Sequence, residues 1–196
     1  MYRQIPNILT AMRLISAPLV ALMLLVSTEP LWSLSALVIY AIASATDWLD
    51  GYLARRWQSV SGFGRMLDPI ADKLMVILIL SALMATNLVE TGTNALIIGV
   101  PALLIITREV MVSGLREFMA KQDFVVHVTL AAKMKTTIQL IAIGFLIGSF
   151  IFQPASDYAA LSYGVGVIGL WIAALLTAQT GIAYFIHAMR HMASQK

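Results

Sequence analysis

Residues 47–72 read DWLDGYLARRWQSVSGFGRMLDPIAD and lie where two long apolar runs meet. Asp47 and Asp50 are three residues apart and Asp68 and Asp72 are four apart, so on helices each pair projects from one face. A tight turn between the two pairs lets these faces oppose each other. Because an apolar bilayer normally excludes acids, the stretch predicts two helices that meet around a polar site.

The composition of the whole chain places these helices in a membrane. Of 196 residues, 60% are apolar and only 12% are charged, which lies outside the range of ordinary soluble domains. A crossing helix needs roughly 20 apolar residues, so the length allows about six crossings with short connections. The chain has no cysteine, which excludes disulfides, zinc-thiolate and iron-sulfur sites and a cysteine nucleophile.

Polar breaks divide the sequence into six long apolar segments, each too long and too unalternating for a barrel strand. The predicted helices span residues 8 to 27, 32 to 56, 64 to 86, 94 to 119, 133 to 152 and 160 to 188. The first run is too long for a signal-peptide core, and residues 1–7 are expected to form an interfacial lead. The prediction is an all-α, polytopic membrane protein, a six-transmembrane-helix bundle that forms one domain over residues 1–196.

The basic residues predict how this bundle is oriented. All of them fall at the two termini or in and beside the second and fourth connections, whereas the other three connections carry only Glu29, Glu90 and Asp157. Since short cytoplasmic loops retain Lys and Arg, both termini and the acidic stretch are expected on the cytoplasmic side.

Four clustered carboxylates must be protonated, paired or bound to cations. Mg²⁺ or Mn²⁺ fits them, because hard divalent ions prefer carboxylate oxygen and keep open positions for phosphate. In the alternative interpretation, the acids only form ion pairs with nearby basic residues and help to set topology. Those basic residues are Arg55, Arg56, Arg65 and Lys73.

Small residues accompany the acids. Gly51 and Ala54 lie on the helical face of the first acid pair, Gly64 leads into the second pair, and Arg55 supplies a cation beside them. The combination predicts a shallow groove in which backbone approaches a diphosphate and Arg55 holds one of its oxygens. Such a groove suits a nucleotide.

The spacing of these eight residues, D-x2-D-G-x2-A-R-x8-G-x3-D-x3-D, resembles the signature of the CDP-alcohol phosphatidyltransferase family without departure. The resemblance implies a six-helix membrane bundle, usually a homodimer, that attacks CDP-diacylglycerol with an acceptor hydroxyl and releases CMP. It also implies two divalent metals held by Asp47, Asp50 and Asp68, with Asp72 as general base and additional ligand. The CDP site would be lined by Gly51, Ala54, Arg55 and Gly64.

The first helix opens with PNILTAMR, in which Asn7, Thr10 and Arg13 are spaced by three and share a face. Family members have a similar opening, so these three side chains are expected to reach the CDP headgroup. The alternative is an interfacial cap followed by an arginine that snorkels to water.

Four cations surround the fourth connection: Arg108 and Arg116 in TREVMVSGLREF, and Lys133 and Lys135 in AAKMKTT. They are expected to bind the phosphate of the acceptor, since a neutral alcohol offers them no charge. The alternative is that they only mark the cytoplasmic side, and nearby acids such as Glu109 and Glu117 can partly neutralise them.

Further stretches resemble the glycerol-3-phosphate 3-phosphatidyltransferase subfamily: PNILTAMRLISAPL, DPIADKLMV, TREVMVSGLREFMA and AKMKTTIQL. This resemblance implies that the acceptor is glycerol-3-phosphate, that the product is phosphatidylglycerophosphate, and that the protein resides in a bacterial inner membrane.

Other functions stay open on the sequence alone. The same chemistry can use inositol phosphate, serine or phosphatidylglycerol, and polar residues inside membrane helices also occur in transporters. A phospholipase-D-type synthase needs paired His-x-Lys motifs, which His127, His187 and His191 do not provide. Nucleic acid is not an expected partner, because topology and anionic substrates already account for the basic residues.

Overall fold

In a computed structural model, the described part of the chain forms six α-helices and no strand. The structure describes residues 5–57, 62–91, 96–120 and 130–194, and side chains within 8–46, 66–67, 69–89, 96–119, 134–186 and 188–189. The helices are α1 (Ile5–Val26), α2 (Pro30–Trp57), α3 (Gly62–Thr91), α4 (Leu96–Ala120), α5 (Leu130–Ser149) and α6 (Asp157–Ser194). The all-α prediction is confirmed.

The helix ends follow local sequence signals. Pro30 occupies the first position of α2, where its missing N–H breaks no helical hydrogen bond. The Ser156 hydroxyl caps α6 by accepting a hydrogen bond from the Ala159 amide at 3.2 Å. α1 begins at Ile5, inside the predicted interfacial lead, and α6 continues to Ser194 because helix formers such as Met189 and Met192 extend it beyond its apolar run.

Four of the helices are long and apolar enough to cross a membrane. The apolar spans are Ile8–Val26, Pro69–Val89, Leu96–Met119 and Asp157–Ile186. The described apolar parts of α2 and α5 are shorter, at Pro30–Thr46 and Met134–Ser149. Length and composition therefore support four membrane-spanning helices among the described residues. Six crossings with both termini on the cytoplasmic side stay a prediction.

The helices pack as a closed ring. α1 packs against α2 and α3, α3 against α4, α4 against α6, α6 against α5, and α5 against α2, with a smaller contact of α3 with α5 across the ring. Contacts at both ends of the helices show that α1 and α3 run in the same direction, as do α4 and α6. We call the end of the bundle where α1 begins and α2 ends the site end.

Aliphatic and small side chains fill the ring. Leu80 and Leu83 of α3, Ile143 of α5 and Leu170 of α6 are completely or almost completely buried in one continuous core. Large apolar side chains also cover the outside of the bundle, including Leu175, whose side chain is well exposed. An apolar exterior suits contact with lipid.

At the end opposite the site end, neutral hydrogen bonds join neighbouring helices. Trp32 donates to the Met23 carbonyl at 2.7 Å, Thr86 to the Leu24 carbonyl at 3.0 Å, and Ser162 to the Phe145 carbonyl at 2.8 Å. Between membrane helices such bonds contribute about 0.6 kcal/mol each on average. They hold the helices in register without placing a charge in lipid.

Glycine allows α5 and α6 to approach closely. A Cβ added at Gly166 would lie 2.7 Å from Leu146 Cγ and 3.0 Å from the Leu146 amide nitrogen. Because the backbone atom cannot move aside alone, any side chain at this position must push the two helices apart. Gly164, on the same helix, has no such neighbour within 4 Å among the described atoms.

We expect Gly166→Ala to destabilise the bundle by about 1–3 kcal/mol, the usual cost of overpacking. Thermal unfolding of the purified protein in detergent measures the change. Gly164→Ala is the matched control, since it makes the same substitution in the same helix without the clash. Equal melting temperatures for the two variants would contradict the close packing described above.

Candidate active site

The four aspartates lie on the two helices that flank the second connection. Asp47 and Asp50 are in α2, within about three turns of its end, and Asp68 and Asp72 are in α3, within about three turns of its start. All four therefore belong to the site end of the bundle. Only the Asp72 side chain is among those described. The side chains of Asp47, Asp50 and Asp68, with positions Gly51, Ala54, Arg55 and Gly64, lie outside the described set.

Asp72 forms an ion pair with Arg13 of α1, with 2.5 Å between Asp72 Oδ1 and an Arg13 terminal nitrogen. The Arg13 side chain is 1% exposed, whereas the Asp72 side chain is 49% exposed. The alternative interpretation expected Arg13 to snorkel to water. The buried position of its side chain contradicts that expectation. Arg13 holds Oδ1 of Asp72, while the rest of the Asp72 carboxylate is exposed on the surface of the bundle.

Thr10 is buried one turn before Arg13 on the same face of α1. This face meets α3, because α1 packs along α3. The third residue of the predicted CDP-binding set, Asn7, has its side chain outside the described part. The predicted contacts of Asn7, Thr10 and Arg13 with a CDP headgroup stay a prediction.

Lys73, next to Asp72, connects α3 with α4 by donating a hydrogen bond to the Ser113 hydroxyl. In the alternative interpretation, the acids only form ion pairs with nearby basic residues, and Lys73 is one of these residues. In the structure its ammonium group reaches α4, while a more distant residue, Arg13, pairs with Asp72.

A second polar cluster lies where α4, α5 and α6 meet. Glu109 Oε1 accepts hydrogen bonds from the Lys135 ammonium group and from Arg108, the latter at 3.2 Å. Arg108 also donates to the Thr180 hydroxyl at 3.3 Å. The side chains of Arg108 and Lys135 are only 10% and 5% exposed, so both cations are held inside the bundle by one carboxylate.

Arg116 completes this cluster two turns farther along α4. Its positive charge is near enough to repel those of Arg108 and Lys135, and its guanidinium carbon lies 5.8 Å from the centroid of the Tyr184 ring. Three of the four cations predicted to bind an acceptor phosphate are therefore neighbours. The fourth, Lys133, lies in the first turn of the same helix as Lys135, but its side chain lies outside the described set.

Several residues of this cluster carry no signal in the sequence pattern. The sequence predicts that Glu109 only partly neutralises the cations, yet in the structure it connects α4 with α5. Thr180 and Tyr184 have no distinguishing pattern, because a threonine and a tyrosine are common in an apolar helix. The charge of Glu109 inside the apolar α4 was the one signal that could have identified it.

The two clusters suit different ligands. Asp72 offers carboxylate oxygen, and one carboxylate has about four lone-pair sites, so its bond with Arg13 does not exhaust its capacity for a cation or a proton. Among the described side chains no three metal-binding residues come together, but three of the four aspartates lie outside that set. Arg108, Arg116 and Lys135 carry three positive charges against the negative charges of Glu109 and of Glu117, which follows Arg116 in the chain. The remaining positive charge suits a phosphate.

Comparison with known proteins gives a consistent result. The family model described as CDP-alcohol phosphatidyltransferase matches residues 3–179. The chain is 38% identical to the CDP-diacylglycerol–glycerol-3-phosphate 3-phosphatidyltransferase of Cereibacter sphaeroides, covering 98% of each chain. It is 40% identical to the protein of the same name from Rickettsia bellii, over 92% of this chain and 93% of the other. A third of that name, from Haemophilus influenzae, is 36% identical, over 92% and 90%.

We expect Glu109→Gln to destabilise the protein by on the order of 2–3 kcal/mol, because it leaves the buried Lys135 ammonium without its counter-charge. Adding Lys135→Met should recover part of that loss, and thermal unfolding of the two single variants and the double variant measures the coupling. Glu29→Gln, which makes the same substitution at an exposed position between α1 and α2, is the control. Additive losses in the double variant would show that the two side chains do not stabilise each other.

Proposed function

We propose a reaction from the family of this chain. The chain belongs to the CDP-alcohol phosphatidyltransferase family, and we infer that it transfers the phosphatidyl group of CDP-diacylglycerol to glycerol-3-phosphate. The products are phosphatidylglycerophosphate and CMP. The observation that carries the proposal is the 36–40% identity, over nearly the full length of both chains, to enzymes named for this reaction. The complete aspartate signature at residues 47–72 supports the same chemistry.

The reaction exchanges one bond at phosphorus. A hydroxyl of glycerol-3-phosphate attacks the lipid-side phosphorus of CDP-diacylglycerol, the bond from that phosphorus to the bridging oxygen breaks, and CMP leaves with the oxygen. The attacking hydroxyl loses its proton to Asp72. General-base catalysis of this kind contributes about 10²- to 10⁴-fold in rate.

Arg13 orients that base. Its nearly inaccessible guanidinium group holds Asp72 Oδ1, which limits rotation of the carboxylate and directs its remaining lone pairs to the exposed side. A base held in one orientation reaches the acceptor hydroxyl without first losing rotational freedom.

The donor set fits two divalent cations, Mg²⁺ or Mn²⁺, held by Asp47, Asp50, Asp68 and Asp72, since all four residues supply hard carboxylate oxygen from neighbouring helical positions. When bound, such cations neutralise the diphosphate and stabilise the departing CMP phosphate. The CDP moiety would be contacted by Gly51, Ala54, Arg55 and Gly64, together with Asn7, Thr10 and Arg13.

The acceptor phosphate would bind at the cluster of Arg108, Arg116 and Lys135, with Lys133 beside it. Arg108 directs its two terminal nitrogens to Glu109 and Thr180, while its buried Nε has no hydrogen-bond partner among the described residues. That buried N–H lacks an acceptor, and a phosphate oxygen that reached it would supply one. The cluster favours a phosphorylated acceptor over serine or another acceptor without a phosphate.

The same proposal includes location and assembly. The positive-inside distribution of the basic residues supports an active site that faces the cytoplasm, and the bacterial relatives support an inner-membrane enzyme. A homodimer follows from the family resemblance alone.

The direct test is CMP release from CDP-diacylglycerol by the purified protein. We expect release that requires both Mg²⁺ or Mn²⁺ and glycerol-3-phosphate, is abolished by EDTA and returns when the metal is restored. Inositol phosphate, serine, glycerol and phosphatidylglycerol are the comparison acceptors. Preferred use of one of these would replace the acceptor but keep the chemistry, and no release with any acceptor from folded protein would return attention to transport.

Asp72→Asn separates binding from chemistry. The amide keeps the shape of the side chain but cannot accept the proton, so we expect kcat to fall by about 10²-fold or more while CDP binding is retained. Steady-state CMP release gives kcat, and equilibrium binding of CDP gives the affinity. Turnover similar to that of the unmodified enzyme would remove Asp72 from the role of base.

A further inference from the structure

Both arginines of the acceptor cluster rest against one short stretch of α6. Arg108 donates to the Thr180 hydroxyl at 3.3 Å, and Arg116 lies over the Tyr184 ring. Thr180 and Tyr184 are four residues apart and share a helical face. This stretch lies outside the aspartate signature and outside the two segments that supply the cations.

Gly181 gives Arg108 the space to lie there. A Cβ at position 181 would be 2.9 Å from Arg108 Cγ and 3.8 Å from Arg108 Nε. Cγ is close to the backbone of α4, so it cannot move aside without a change in the first side-chain torsions of Arg108. A methyl group at 181 would therefore displace the guanidinium together with its buried Nε atom.

The backbone does not require glycine at this position. Gly181 lies inside α6, thirteen residues before its last residue, Ser194, and its backbone does not adopt the left-handed conformation that favours glycine. Alanine is the better helix former at an ordinary helical position. Because Gly181 has no side chain, Arg108 can approach the backbone of α6 closely.

We propose that Thr180, Gly181 and Tyr184 are positioning residues for the acceptor phosphate, which hold Arg108 and Arg116 in the geometry that binds it. The inference rests on the proposed function and deepens it: α6 sets how tightly the acceptor is held, through the two arginines of α4. These α6 residues act through the cations and have no part in binding CDP-diacylglycerol.

The test compares Gly181→Ala with Gly164→Ala in the full-length purified enzyme. Gly164 lies on the same helix, and a Cβ there meets nothing within 4 Å among the described atoms, so both variants change helix propensity equally. We expect Gly181→Ala to raise the KM for glycerol-3-phosphate by about tenfold or more, the loss expected for one charge-assisted hydrogen bond. The KM for CDP-diacylglycerol should stay within about twofold, including under conditions where the clash lowers the melting temperature.

Thr180 provides an independent comparison if Gly181→Ala does not fold. Thr180→Val keeps the shape of the side chain but removes the hydroxyl that accepts the Arg108 hydrogen bond, whereas Thr180→Ser retains it. The valine variant should show the raised KM for glycerol-3-phosphate, and the serine variant should restore it. A merely structural role would lower stability and affect both substrates in parallel.

The outcomes are distinguishable from failure of the proposed function. If the unmodified enzyme shows no CMP release that depends on glycerol-3-phosphate, the function fails and this inference with it. If the unmodified enzyme uses glycerol-3-phosphate but Gly181→Ala and Thr180→Val leave its KM unchanged, the function stands and the role of α6 is overturned. A parallel rise in KM for both substrates would overturn it equally.

Discussion

A charged group inside an apolar bundle cannot be solvated by lipid, so it must find a counter-charge or a hydrogen-bond partner in the protein. This constraint decides which helices meet at the site end. Arg13 joins α1 to α3 through Asp72, and Glu109 joins α4 to α5 through Lys135. Each pairing crosses a helix boundary, so satisfying the charges also fixes the neighbours of each helix.

The two ends of the bundle achieve register by different means. The far end uses neutral donors, such as Trp32 and Thr86, that bond to backbone carbonyls. The site end uses ionised side chains, which are costlier to bury but keep charge at that end of the bundle. Glu109 shows the compromise: it lets two cations remain inside the bundle while leaving the cluster with a net positive charge.

Much of the fold and the chemical character of the site could be read from the sequence, because both depend on local patterns. Apolar runs predicted the six helices to within a few residues, apart from the longer ends of α3 and α6. The spacing of Asp47 to Asp72 predicts an acidic cluster, of which the structure describes the Asp72 side chain. The partner of Asp72 could not be derived, since Arg13 is 59 residues away along the chain and several closer cations were available. The close contact of Gly181 with Arg108 could not be predicted either, because nothing in the sequence distinguishes this glycine from the others until α4 is placed against α6.

The ring order of the helices has a consequence for biosynthesis. A chain is made from its N-terminus, so the contacts among α1, α2 and α3, including Arg13 with Asp72, involve helices that are made early. Arg108 and Glu109 enter with α4, but Lys135 comes with α5 and Thr180 with α6. The contact of Arg13 with Asp72 can thus form while translation continues, whereas the cluster around Glu109 is completed only when α6 docks and the ring closes.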